Sequence, residues 1–109
     1  MNLFRTEAEL MNAILRNARL LGYLAFHVDV PQHSDKGFPD IVICGHGIVR
    51  WIETKGPRGR VSERQQLWID ELVAAGQHAR IAWLDDYDDI MRDLEEAYED
   101  HHRRRSQLA

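Results

Sequence analysis

The chain has 109 residues, 44% apolar and 29% charged, the balance of one ordinary domain able to bury roughly two thirds of its unfolded surface without staples. The lone Cys44 excludes an internal disulfide and sits in an apolar run where a buried thiol is expected; no stretch is apolar enough for a signal peptide or a membrane span, so a soluble protein is expected. The net charge of −4 speaks against a polyanionic partner only until it is divided: residues 85–100 carry −8, the tail from 101 carries +3, and residues 1–84 are left with +1.

Thr6 reads as an N-cap, and Leu10, Met11, Ile14, Ala18 and Leu21 follow at helical offsets until Gly22 stops the helix. Tyr23 to Val28 is a short aromatic and β-branched strand, followed by a loop of turn formers from Pro31 to Gly37. Asp40 to Cys44 is a second strand, Gly45-His46-Gly47 a hairpin turn, and Ile48 to Lys55 a third strand ended by Gly56-Pro57. Ser62 with Gln65 three residues on is a capping-box signature for a second helix, which Gly76 closes. His78 to Leu84 is a fourth strand, and an acidic helix from about Tyr87 to Tyr98 precedes a polar tail. The order predicts an α/β layer fold of type αβββαβ, with the third and fourth strands parallel across the helical crossover and an extra acidic helix at the C-terminus. Residues 1–100 are expected to form the single domain, with 101–109 as a flexible tail. Trp51, Trp68 and Trp83 read as core aromatics.

The third strand carries the chemistry. A period of two puts Val49, Trp51, Glu53 and Lys55 on one face and Thr54 on the other. A carboxylate and an ammonium at the end of an apolar strand are costly to desolvate unless they serve each other or a metal. Asp40 opens the neighbouring strand, and the short hairpin folds it back antiparallel, so its carboxylate reaches the same edge. Two acids and a lysine then converge, the set that Mg²⁺-assisted phosphodiester hydrolysis needs: Asp40 and Glu53 as hard oxygen ligands, Lys55 beside the attacking water, and the backbone carbonyl of Thr54 as an extra ligand.

Gly37-Phe38-Pro39-Asp40, then Glu53-Thr54-Lys55 after twelve residues, then Gly56-Pro57 and Ser62-Glu63-Arg64-Gln65 resemble the PD-(D/E)XK nuclease superfamily and, within it, the VRR-NUC family. The resemblance spans roughly residues 7 to 84. It implies a restriction-endonuclease-like fold with a four-stranded mixed sheet flanked by helices, Mg²⁺ or Mn²⁺ dependence, and a structure-specific endonuclease cutting branched DNA such as Holliday junctions or flaps. It also implies the standalone phage or bacterial type, often a dimer, acting in the cytoplasm of a bacterial or phage-infected host cell. The family places a Glu on the first helix and a Gln on the second. Here Glu7 shares the inward stripe of Leu10, Met11 and Ile14, whereas Glu9 aligns with the wet face, so Glu7 is the expected further metal ligand. Gln65 leads to Trp68, Ile69 and Leu72 and is expected to orient Lys55 or a bound water.

Each residue has a structural alternative. Asp40 can be a turn residue, Glu53 and Lys55 a solvated ion pair, Glu7 a first-turn acid and Gln65 the capping-box partner. Lys36, Arg58, Arg60 and Arg64 are either surface charge or phosphate contacts beside the site. The six histidines lack zinc spacing, and His101-His102 reads as part of a solvated tail. Two other functions stay open: an exonuclease or RNA-directed nuclease on the same scaffold, and a non-catalytic DNA-binding or assembly module presenting the acidic helix.

Overall fold

Thr6 opens the first helix: its Oγ1 accepts the backbone N–H of Glu9 at 3.1 Å and satisfies one of the free donors of the first turn. The computed structural model describes residues 3–28 and 36–108, so most of the expected Pro31–Gly37 loop lies outside the described residues. The elements are α1 (Glu7–Leu20), β1 (Leu24–His27), β2 (Ile41–Gly45), β3 (Ile48–Thr54), α2 (Glu63–Ala74), β4 (His78–Ala82), a 3-10 turn (Leu84–Asp86) and α3 (Tyr87–Leu108). The four strands form one mixed sheet in the order β1-β2-β3-β4, antiparallel in the first two pairings and parallel between β3 and β4. The αβββαβ order with an added C-terminal helix is therefore the observed architecture.

His46 and Gly47 both take positive φ, 47° and 84°, which makes the β2–β3 connection a two-residue turn matched to strand twist. That turn sets the register. Ile41 pairs with Ile52 and Val42 with Trp51, so one step further Asp40 stands opposite Glu53. Ile41, Ile43 and Ile52 point to the face covered by α1 and α3, where Leu10, Ile14, Ala18, Ile90 and Leu94 complete the core. Each fully buried Leu or Ile there contributes roughly 1.5–3 kcal/mol.

The other face is covered only in part. α2 packs on the β4 side, where Ile69 and Ala79 are buried and Phe38 meets the ring of Trp68 edge-on at 4.9 Å. Leu24 and Phe26 on β1 stay open, at 75% and 65% exposure. Cys44 shares that uncovered surface and is exposed, contrary to the buried thiol expected of its apolar run. Trp83, at 39% exposure, is likewise no core residue, because β4 has ended and the chain has left the sheet.

The acidic helix runs to Leu108, ten residues beyond the expected end at Tyr98, and the boundary expected at residue 100 falls inside it. Apolar periodicity stops near Tyr98, but aromatic packing does not. The His46 ring at the hairpin tip meets Tyr98 edge-on at 4.8 Å and His102 at a tilt at 5.2 Å, and Arg103 pairs with Asp100 one turn back. His101 is thus half-buried against the turn rather than part of a solvated tail, while His102 stays exposed as expected.

Gly37 ties the start of β2 to α2. Its φ is +90°, and a β-carbon there would fall 2.5 Å from the backbone carbon of Arg64. Pro39, fully buried, holds the next turn of chain in place before Asp40. We therefore expect Gly37→Ala to cost about 3 kcal/mol through strain and overpacking, read as a lower urea midpoint at unchanged slope.

Candidate active site

Three elements end at the same point. β2 delivers Asp40, β3 delivers Glu53, Thr54 and Lys55, and the first turn of α1 delivers Glu7. The approach of α1 is close because residue 56 is glycine: a β-carbon there would already touch the Cβ and N of Glu7 at 3.4 Å. One carboxylate oxygen each from Glu7, Asp40 and Glu53 lies within 4.8 Å of the others.

Their surroundings differ. Glu53 is buried at 3% exposure, Asp40 is half-buried, and Glu7 is exposed. Asp40 Oδ2 accepts two hydrogen bonds from one residue, from the backbone N–H of Thr54 at 3.0 Å and from its hydroxyl at 2.9 Å. Glu53 Oε1 is buried and has no hydrogen-bond partner, a costly state for a carboxylate oxygen. Burial pushes the Glu53 carboxyl up from its ordinary 4.5 to about 9; a hydrogen bond to Asp40 and repulsion from Asp40 and Glu7 add to this, and Lys55 opposes it. Lys55 is itself only 9% exposed, and among the described residues no carboxylate forms an ion pair with it.

These residues fit a divalent metal ion. A hard cation takes oxygen ligands, and here a buried carboxylate with one orphaned oxygen clusters with two further carboxylates, a set too crowded with like charge to ionise alone. Asp40, Glu53 and Glu7 would hold the ion.

The remaining expected residues lie as follows. Thr54 does project to the face opposite Glu53, but at the strand end that face is where α1 delivers Glu7. Its hydroxyl therefore touches Asp40 and lies 3.3 Å from Glu7 Oε1, so the side chain belongs to the site and not only the backbone carbonyl. Sequence reasoning missed this hydroxyl; the available signal was a polar β-branched residue at a core-facing position between two functional ones. Gln65 sits in the capping box, its Oε1 accepting the Ser62 N–H at 2.9 Å and its own N–H donating to Ser62 Oγ at 3.1 Å. Among the described residues none of its hydrogen bonds reaches Lys55 or the carboxylates. Lys36, Arg58, Arg60 and Arg64 are exposed and engage no carboxylate among the described residues.

A four-stranded mixed sheet whose central strand ends carry clustered acids and a buried lysine defines a nuclease domain of the VRR-NUC kind. The VRR-NUC domain model matches residues 4–83, and the chain belongs to that family. Two solved structures described as a VRR_NUC domain and a VRR_NUC domain protein share its fold, each with a TM-score of 0.65. The first is 16% identical and aligns over 79% of this chain and 94% of its own; the second is 19% identical, over 84% and 89%. The Fanconi-associated nuclease 1 proteins of Danio rerio and Ailuropoda melanoleuca are each 35% identical over 52 residues. That is 46% of this chain, which spans only 5% of the length of either relative. No helix among the described residues is long and apolar enough to cross a membrane.

The displaced proton of Glu53 has a consequence for stability. The folded metal-free protein keeps this proton to about pH 9, whereas an unfolded chain releases it near 4.5. Stability is then greatest below about 4.5 as far as this group is concerned and falls as pH rises toward 9. Without metal, Glu53→Gln should melt higher than wild type at pH 8, with the gap closing as pH falls toward 4.5; equal melting temperatures at pH 8 in EDTA would contradict the buried, proton-holding carboxyl.

Proposed function

We propose that this chain is a Mg²⁺-dependent endonuclease that hydrolyses phosphodiester bonds of branched DNA, junctions or flaps, with Mn²⁺ able to replace Mg²⁺. The observation that carries the reading is the buried Glu53 carboxylate, its Oε1 without a partner, clustered with the carboxylates of Asp40 and Glu7. When bound there, a divalent cation supplies Lewis acidity to the scissile phosphate and lowers the pKa of water. Asp40, Glu53 and Glu7 bind it through carboxylate oxygens, with the Thr54 carbonyl as a further donor. Lys55 presents its Nζ beside Glu53, where it offsets charge growing on the phosphate and takes a proton from, or orients, the attacking water.

Gln65 is assigned a supporting part: its side chain closes the capping box that begins α2 and fixes the Arg58–Arg64 approach. Lys36, Arg58, Arg60 and Arg64 are assigned to the DNA backbone, since each is an exposed cation beside the carboxylate end. Replacing Arg58 and Arg60 by Ala should lower the slope of log affinity against log salt by about 1 per arginine, uniformly across sequences, in a binding titration without metal. The uncovered Leu24–Phe26 surface supports a homodimer, the form in which such a small module gains contact area on a branched substrate.

Labelled four-way junction, flap, duplex, single-stranded DNA and RNA substrates, each with Mg²⁺, Mn²⁺ or EDTA, test the assignment. Junctions or flaps should be cut internally with Mg²⁺ and not in EDTA. Lys55→Ala should lose at least ~10²-fold in rate while retaining DNA binding, and light scattering should give twice the chain mass. Binding without cutting under every metal would make the chain an assembly module, and release of single nucleotides from ends, or cutting of RNA alone, would replace the branched-DNA reading.

A further inference from the structure

The Thr54 side chain is a group that the metal-ligand set does not use and the geometry places at its centre. It has no exposed surface, and its hydroxyl lies between two carboxylates, 2.9 Å from Asp40 Oδ2 and 3.3 Å from Glu7 Oε1. A hydroxyl carries one proton, so it donates to one of these oxygens at a time, and the shorter distance selects Asp40. The backbone N–H of Thr54 donates to that same Oδ2 at 3.0 Å.

We propose that the Thr54 hydroxyl is a positioning residue for metal binding. It holds Asp40 with Oδ2 occupied, so that Asp40 offers Oδ1 alone to a cation. This rests on the metal-dependent reading of the site, and the chemistry behind it is general. A carboxylate with one oxygen fixed by two donors loses little freedom on binding a cation through the other. Groups that orient metal ligands in this way typically set affinity by 10- to 100-fold when removed. The fixed Oδ2 also reduces the charge that Asp40 presents to its neighbours, which matters where Glu53 stands opposite it in the next strand. Threonine suits the position twice over. Its β-branch favours the strand, and its stiff side chain restricts where the hydroxyl points.

The test compares wild type, Thr54→Val, Thr54→Ala and Thr54→Ser in full-length protein. Binding of Mn²⁺ alone, without DNA, is read from loss of the free-ion electron paramagnetic resonance signal, alongside the Mg²⁺ concentration giving half-maximal cleavage. Valine keeps the size and branching and the backbone N–H bond, so only the hydroxyl is lost; alanine replaces it if valine costs the fold, as judged by circular dichroism melting. We expect valine or alanine to weaken Mn²⁺ binding and to raise the half-maximal Mg²⁺ concentration by about tenfold or more, with metal-free DNA binding unchanged and serine close to wild type. Equal Mn²⁺ affinity in wild type and Thr54→Val, or a serine variant as weak as valine, overturns the role of the hydroxyl while leaving the nuclease reading intact. A wild-type protein that neither binds Mn²⁺ nor cuts overturns both.

Discussion

The structure is organised around a set of charges that do not tolerate one another. Two full carboxylate charges within 4.8 Å repel by roughly 3 kcal/mol even at an effective dielectric near 20, and at the carboxylate end of the sheet there are three such groups, one of them buried. Lys55 offsets part of this. The rest is met in the metal-free protein by a proton on Glu53, a part that a cation bound there would take over. A site of this kind costs stability by construction, and it persists only because the backbone leaves the acids nowhere else to go.

The backbone constraint comes from three terminations rather than from any loop. The His46-Gly47 turn counts the strands off so that residues 40 and 53 stand opposite, and the parallel pairing of β3 with β4 seats Thr54 beside Ala82 in the body of the sheet. Gly37 lets the chain before Asp40 lie against the start of α2, and Gly56 lets the first turn of α1 press on the end of β3. That turn is also the positive end of a helix, where negative side chains are favoured. Carboxylates built on strand ends and a helix start are held to the precision of the sheet, which catalysis by positioned ligands requires.

Much of this was legible because it depends on counting. Alternation along Ile48 to Lys55 and a short turn are enough to bring Asp40 across from Glu53, and the offsets from Leu10, Met11 and Ile14 separate Glu7 from Glu9. What escaped depends on how elements cover one another. Alternation places Thr54 rightly on the face opposite Glu53, yet at a strand end both sides open on the same space, and a helix arriving there makes the distinction void. Cys44 looked buried because the run around it is apolar; α2 is short and packs on β4, so the β1–β2 half of that face stays bare. α3 outlasted its apolar pattern because imidazole and phenol rings carry the packing past Tyr98. Gln65 satisfies both a capping box and a family position, and composition cannot say which its amide will serve.

Stability and charge are divided between the two ends of the sheet. Near the β2–β3 turn Arg50 donates two bonds to Asp93 of α3, at 2.7 and 3.0 Å, and Tyr23 donates to the carbonyl of Leu94 at 2.6 Å, a buried contact at which burial chiefly pushes the phenol up to about 12. His46 joins the same region to Leu21 at 2.8 Å. The first two contacts fix the middle of α3 to the turn half of the fold, and that placement has an electrostatic consequence. The helix carries seven of the chain's 18 acidic residues, and screening limits their reach to about 8 Å at physiological salt. Glu96, Glu99 and Asp100 line the cleft beside His46 and Gly47, whereas Asp88 and Asp89 stand where the chain has just left β4, whose last residue Ala82 pairs with Thr54. Only the later turns of the helix therefore hold their charge at the end of the sheet away from Asp40 and Glu53.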